Sequence, residues 1–509
     1  MELPELGVGL TYNSGLEPVF EAHAGRIGLV EVEPQTLWFR EPGGGYRVDR
    51  EAVRQIATLP GARLLHGIGF PVGGLRPPDP SQLPPLLEMA GALAPPWMSE
   101  HLSFNRAGGE GGDFLTGFLL PPRQTAEGVR AAAASIRAMS DELPVPLAVE
   151  TGVNYLRPRR DEMSDGRFTA AVLEAAGCGL LLDLHNLWTN QRNGRQRIDD
   201  FLAEIPLERV WEIHLAGGSE RHGYWLDSHA GGLPDPLEEV AEAVIPRLPN
   251  LKAIVFEVFP DYLPAVGLGE IGRQLERLQR LWDRRARANG RGAERAAPPA
   301  PPAAAGARPE PPASRPVGPD PREWEDTLGA LVVGRRVDSP LGSELAGDPG
   351  LDVIRELIGD FRAGMVAEAL KLTVRLLLAT RGAKVVRALL AGYFAAVPPS
   401  LFAAEEGEGF AAWLAGRGDL DAPGVAYFAP VLAYERALLA TLHDGRSRVV
   451  PFPFDPLPVL RALAEGRLPD PALVGAGRFE VEVTPPAPEA AAGGDGGLRA
   501  LAAPQVFHR

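Results

Sequence analysis

Apolar residues in the first half of the chain fall into eight short β-like runs, at 7–12, 27–32, 63–68, 97–102, 147–151, 179–184, 210–215 and 253–258. Between them, stretches such as 125–139, 167–176 and 237–248 carry apolar side chains three and four apart, the spacing of one helix face. Strands alternating with helices predict parallel βαβ units, and eight units in about 280 residues predict an α/β fold of the (β/α)8 TIM-barrel type. A doubly wound open sheet is the alternative, but no Gly-rich dinucleotide loop follows the first run.

After residue 283 the pattern stops. Residues 284–320 are rich in Pro, Ala and Arg, a composition that cannot bury a core and predicts a flexible linker. Beyond it, 352–362, 365–380, 384–396, 409–415 and 428–442 again show helical periodicity, and 449–454 and 479–483 are short enough to be edge strands or hairpin arms. The expected organisation is a barrel over 1–283, the linker, a mainly helical domain over 321–484 and a disordered tail over 485–509.

Composition narrows the function. A chain of 509 residues with a net charge of −15 argues against nucleic acid as the main partner. The first residues show no basic region followed by an apolar run, and no stretch approaches the roughly 18 apolar residues of a membrane span. The expected location is the cytoplasm. The single cysteine, Cys178, excludes an intrachain disulfide and any thiolate-rich zinc or iron–sulfur site, and reads as a small buried residue.

Chemistry enters through position. Metal-ligand residue types terminate run after run: Glu31, His66, Glu100-His101, Glu150, Asp183 followed by His185-Asn186, His214 and Glu257, with Asp227 and His229 in the loop after the seventh run. In a barrel all strand C-termini meet at one mouth. Buried carboxylates gathered there repel one another and lose solvation unless a cation compensates. Imidazole mixed with carboxylate and no thiolate suits iron, manganese or zinc, and so many candidates imply two or three ions. Each residue alone also has a plainer reading. A single His is more often a hydrogen-bonded core residue, Glu31 suits an ion pair with a barrel Arg, Asn186 suits a helix cap, and Asp227 and His229 suit an exposed loop. His222 reads as a surface residue.

The motifs His66-Gly67-Ile68-Gly69, Ser99-Glu100-His101-Leu102-Ser103, Glu150-Thr151-Gly152-Val153-Asn154, Leu182-Asp183-Leu184-His185-Asn186 and Glu212-Ile213-His214-Leu215-Ala216-Gly217 occur in that order. Together they resemble the multinuclear non-haem iron-dependent oxidative enzymes, of the type that acts in methanobactin biosynthesis. The resemblance implies two or three irons in mixed Fe(II)/Fe(III) states and dioxygen (O2) as co-substrate. The reaction it implies is oxidative modification of a residue, often Cys, in a ribosomally made precursor peptide. Carried over by position, the implied metal ligands are His66, His101, Glu150, Asp183, Asn186, His214, Asp227, His229 and Glu257, with Asp183, His214 and His229 expected to act in catalysis. This chain departs from the family pattern in having Glu33-Pro34-Gln35-Thr36 after the second run, Gly218 where a second His often stands, Ala230 after His229, and His185 where Asn is frequent.

The second module, through Gly392-Tyr393-Phe394-Ala395-Ala396 and Tyr434-Glu435-Arg436-Ala437, resembles the helical partner proteins of these oxidases, which implies recognition of the precursor peptide. A domain that only stabilises or dimerises the enzyme is the plainer alternative, so a homodimer stays open. Competing readings of the whole are a zinc- or manganese-dependent barrel of the isomerase or endonuclease kind, and a non-catalytic metal- or peptide-binding scaffold.

Overall fold

The structure, a computed structural model, describes residues 2–41, 43–293, 320–417, 425–485 and 505–508. Most of the expected linker, at 294–319, and of the expected tail, at 486–504 and 509, therefore lies outside the described residues. Contacts divide the chain into two compact units. The first is Met1–Thr36, Val53–Phe104 and Leu119–Thr327, and the second is Leu37–Ala52, Asn105–Phe118 and Leu328–Arg509.

The first unit is a closed barrel of eight parallel strands: Gly7–Thr11, Leu29–Val32, Ala62–Gly67, Met98–His101, Leu147–Glu150, Gly179–Asp183, Val210–Ala216 and Ala253–Glu257. Each is hydrogen-bonded to its neighbours in chain order, and the eighth closes on the first. All eight coincide with the apolar runs of the sequence. They are buried on both faces, as parallel strands under helices must be. Register sets the level of the functional side chains, since Thr11 is opposite Glu31, His101 opposite Glu150, and Asp183 opposite His214. Leu3, Leu29, Leu64, Trp97, Ala148 and Ala253 form one apolar cluster of the barrel.

After residue 319 the chain continues in the same unit. Trp324 is fully buried, donates its indole N–H to the Pro121 carbonyl at 3.0 Å, and lies about equally far from the Arg123 and Arg159 guanidinium groups, at 5.1 and 5.0 Å. Glu325 accepts the Leu75 N–H at 2.6 Å and pairs with Arg76 at 3.3 Å.

The second unit is mainly helical, with Pro349–Ala369, Lys371–Ala396 (broken at Gly382, φ 78°, where the sequence periodicity also breaks), Ala403–Ala415, Phe428–Asp444 and Pro456–Ala464. It adds an antiparallel sheet of Arg448–Phe454, Ala476–Val483 and Gln505–His508. Its core joins Val366, Leu377, Tyr393, Phe410, Val431 and Phe452. A buried ion pair, Arg362 to Glu406 at 2.6 Å, also fastens the Val397 carbonyl at 2.9 Å. Residues 37–52 bring to this unit the hairpin Trp38–Arg40/Tyr46–Val48, where Arg40 pairs with Glu405 at 2.9 Å and Tyr46 lies 5.2 Å from Phe402. Among the described residues no helix is long and apolar enough to cross a membrane.

Candidate metal centre

The nine predicted residues converge. His66 is the penultimate residue of the third strand, and His101 ends the fourth, Glu150 the fifth and Asp183 the sixth. His214 lies within the seventh, Glu257 ends the eighth, and all six are largely or fully shielded from solvent. Their donor atoms form overlapping groups, each within 4.8 Å: His66/His101/Glu150, Glu150/Asp183/His214 and His66/His214/Glu257. Glu150 belongs to two of these, so His101 and Asp183 share a neighbour although they stand on different strands.

Local bonds aim each ring. The His101 Nδ1–H donates to the Gly67 carbonyl at 2.9 Å, which leaves Nε2 facing Glu150 Oε2 at 2.8 Å. His66 Nδ1 meets the Ser99 hydroxyl at 2.9 Å, turning Nε2 to the same oxygen at 3.3 Å. The His66 ring centroid is 4.7 Å from that of His101 and 5.1 Å from that of His214. Asp183 caps the helix Leu184–Arg192 by accepting the Asn186 N–H with Oδ1 at 2.8 Å. Asn186 in turn donates to the Thr151 carbonyl at 3.1 Å. The cap reading of this turn thus holds with Asp183, not Asn186, as the capping side chain.

Asp227 and His229 sit at the rim, half-buried, with Asp227 Oδ1 2.8 Å from His229 Nε2. The His229 backbone takes a left-handed φ of 45°, and its ring lies 4.4 Å from that of Phe259. Glu33, also half-buried, is close enough to His66, Glu31, Glu257 and His229 to interact with their charges. His222 is exposed and Cys178 buried, as expected.

Charge is concentrated here. Burial, reinforced by Glu150, Asp227 and Glu257, pushes the Asp183 carboxyl well above its ordinary range. Burial works against a charged His101, but Glu150 beside it wins and raises the imidazole well above its usual value. Burial likewise opposes charge on His214, and Glu257 and Glu31 override it. Protons on histidine thus balance carboxylates where a cation would otherwise do so.

Five buried atoms bear on whether metal fits. Asp183 Oδ2, Asn186 Oδ1, Glu150 Oε2, Glu257 Oε2 and His214 Nδ1 have no hydrogen-bond partner. The last three do lie at ion-pairing distance from one another or from His66 and His101, so what they lack is hydrogen-bond geometry, not neighbours. Buried lone pairs left so are costly unless something else satisfies them. Nitrogen and carboxylate oxygen without sulfur is a donor set that suits iron, manganese or zinc.

Below the rim, sequence reasoning missed part of the site. Glu31 meets His214 Nε2 at 3.0 Å and accepts from Thr11 at 3.1 Å, so its partner is a histidine and not the barrel arginine of its plainer reading. Glu212, fully buried, accepts the Trp97 indole N–H at 2.9 Å, and burial with Glu31 nearby pushes its carboxyl up to about 8. Strand periodicity was the available signal, because Glu212 is two residues from His214 and so on the same strand face.

A UPF0276 protein of Streptomyces avermitilis is 34% identical over 228 residues, 43% of this chain and 45% of that protein. A UPF0276 protein of Chromobacterium violaceum is 33% identical over 184 residues, 36% of this chain and 65% of that protein. The chain thus spans less than half of the Streptomyces relative. Among solved structures, a xylose isomerase domain protein from Planctomyces limnophilus covers 56% of this chain and 99% of its own, with 14% identity and a TM-score of 0.37. The family model described as "RiPP precursor modification enzyme MbnB/TglH/ChrH" matches residues 6–269, from the first barrel strand to beyond the last. Because that match takes in more than half the chain and every residue of the converging cluster, this protein belongs to the MbnB/TglH/ChrH family of enzymes that modify ribosomally made precursor peptides.

Proposed function

We propose that the barrel holds two or three iron ions and uses dioxygen to modify oxidatively a residue, often Cys, of a ribosomally made precursor peptide. His66, His101, Glu150, Asp183, Asn186, His214, Asp227, His229 and Glu257 are the proposed ligands. The observation that carries this reading is the sharing of Glu150. One buried carboxylate serves both the His66/His101 group and the Asp183/His214 group, and two buried oxygens beside it, Asp183 Oδ2 and Asn186 Oδ1, make no hydrogen bond. A single ion needs no such bridge between groups.

Bound iron would supply the one-electron chemistry that dioxygen requires. The chain's own residues do the rest. The carbonyl of Gly67 and the Ser99 hydroxyl fix which ring nitrogens of His101 and His66 face inward. Buried strands exclude water from below, while Asp183, His214 and His229 are assigned the catalytic roles. The half-buried rim at Glu33, Asp227, His229 and the 41% exposed Phe259 is the part of the site open to a peptide. The second unit is assigned recognition of the precursor. The cytoplasm, where thiols of a Cys-bearing precursor stay reduced, is the compartment that suits this chemistry.

The test is direct. Protein purified without oxygen should contain two to three irons per chain by elemental analysis and absorb visible light after oxidation. Co-expression with short Cys-bearing peptides encoded beside the gene should change their mass. Full activity with zinc and no iron would overturn the reading.

A further inference from the structure

We propose that His185 is a positioning residue of this centre, held by Trp225 as its Nδ1–H tautomer so that it orients Asp227, and that it is not itself a metal ligand. The proposal rests on the reading that Asp227 and His229 hold metal.

His185, Asp227 and His229 lie close enough to form a three-residue metal cage. The bonds around His185 argue otherwise. Its ring is fully buried, and Nε2 accepts the Trp225 indole N–H at 3.1 Å. Indole nitrogen is a donor only, so the lone pair of Nε2 is used in that bond and the ring proton must sit on Nδ1. Nδ1 faces Asp227 Oδ1 at 3.1 Å and therefore donates to it. Neither nitrogen keeps a lone pair for an ion. His229 differs, because among the described residues no such donor is found beside it, and it presents Nε2 to the same oxygen at 2.8 Å.

Trp225 is fixed well enough to impose this. Its backbone N–H and carbonyl form a reciprocal pair with the Asn193 side chain, both bonds at 2.9 Å. Its ring meets Trp188 edge-on at 5.0 Å, and the Arg192 guanidinium lies 4.6 Å from it. Asp227 is held from its own side as well, its backbone N–H donating to the Tyr155 hydroxyl at 3.1 Å.

Gly218 makes the arrangement possible. A Cβ there would stand 2.5 Å from the Trp225 indole nitrogen and 2.8 Å from His185 Nε2, at the bond between them. Any side chain at 218 would break the relay from Trp225 through His185 to Asp227. The glycine and the buried histidine thus belong to one device. Such outer partners fix the direction of a carboxylate ligand, and losing one typically weakens metal binding ten- to a hundredfold.

The test titrates the full chain with Fe(II) without oxygen, against a competing chelator, for the wild type, His185→Ala, His185→Gln, Trp225→Phe, Gly218→Ala and Asp227→Asn. Expected is a ten- to hundredfold weaker affinity for one bound ion in His185→Ala, with unchanged stoichiometry at saturation. His185→Gln, which keeps an N–H donor, should recover part of it. Trp225→Phe and Gly218→Ala should weaken the same ion, and Trp225→Phe should add little to His185→Ala. Should His185→Ala fail to fold, Trp225→Phe carries the same test. Saturation at one ion fewer in His185→Ala would make it a ligand and overturn the proposal. Unchanged affinity in His185→Ala alongside weakened binding in Asp227→Asn would overturn the relay alone. Unchanged affinity in both would remove Asp227 from the ligands and the relay with it.

Discussion

Glu31 and His214, 183 positions apart in sequence, meet at 3.0 Å inside the barrel with both side chains fully buried. The carboxylate accepts the Nε2 proton, so Nδ1, 3.1 Å from Glu257 Oε2, is the nitrogen that would serve a proposed ion once its own proton is lost. Glu31→Gln is predicted to weaken Fe(II) binding ten- to a hundredfold, because an amide does not enforce that tautomer. Thr11→Val, which removes only the hydroxyl bonded to Glu31, should cost less. Equal affinities in a chelator competition would contradict the role given to Glu31.

Sharing of Glu150 predicts unequal losses. His101→Ala removes a donor from one group, whereas Glu150→Ala removes the carboxylate common to two. After anaerobic iron loading and gel filtration, Glu150→Ala should retain fewer ions per chain than His101→Ala. Equal iron content in the two variants would show that the carboxylate is not a bridge.

The buried indole at Trp324 ties the segment after residue 319 to the barrel. Trp324→Ala should destabilise the barrel by about 3–5 kcal/mol, the usual cost of deleting a buried aromatic. Trp324→Phe should cost less, since it loses the N–H to Pro121 but keeps most of the packing. Urea unfolding followed by far-ultraviolet circular dichroism measures both. A barrel ended before residue 320 should show the same weakness.

Glu435 gives a pH dependence in the second unit. It is buried and accepts the N–H groups of Leu372 and Thr373 at 2.6 and 2.8 Å, yet burial outweighs these donors and pushes its carboxyl up to about 7 from 4.5. A raised carboxyl contributes stability that is whole below the ordinary value and is lost as pH climbs through 7. Relative to Glu435→Gln, which resembles the protonated form, the wild type should lose about 3 kcal/mol between pH 4.5 and 8. Parallel pH profiles of the two unfolding midpoints would refute this.

The barrel was legible in the sequence because the strands are short apolar runs, seven of the eight carrying an ionisable residue in the C-terminal half, a combination that buried parallel strands rarely show without cause. The ligand candidates were legible for the same reason. Glu31 was seen, but its partner was not, since nothing local distinguishes an arginine from a histidine that arrives from the seventh strand. The hairpins at Trp38–Arg40/Tyr46–Val48 and Phe104–Gly109/Gly112–Leu120 were passed over despite glycine turns, where Gly44, Gly45 and Gly112 take positive φ. Helical period runs unbroken from 365 to 380, yet the helix restarts at Lys371. The restart depends on Glu435 capping two N–H groups from more than 60 positions away, which no local pattern reveals.

The buried carboxylates and amide oxygen crowded around Glu150 also bear on how the protein is made. On the proposed iron reading, a chain synthesised in iron-starved culture must close its barrel over crowded carboxylates and the unbonded Asp183 Oδ2 and Asn186 Oδ1, whereas one supplied with the ion would gain that binding energy as it folds. Soluble yield should therefore track iron in the growth medium, and the starved product should be the first to fall to cellular proteases.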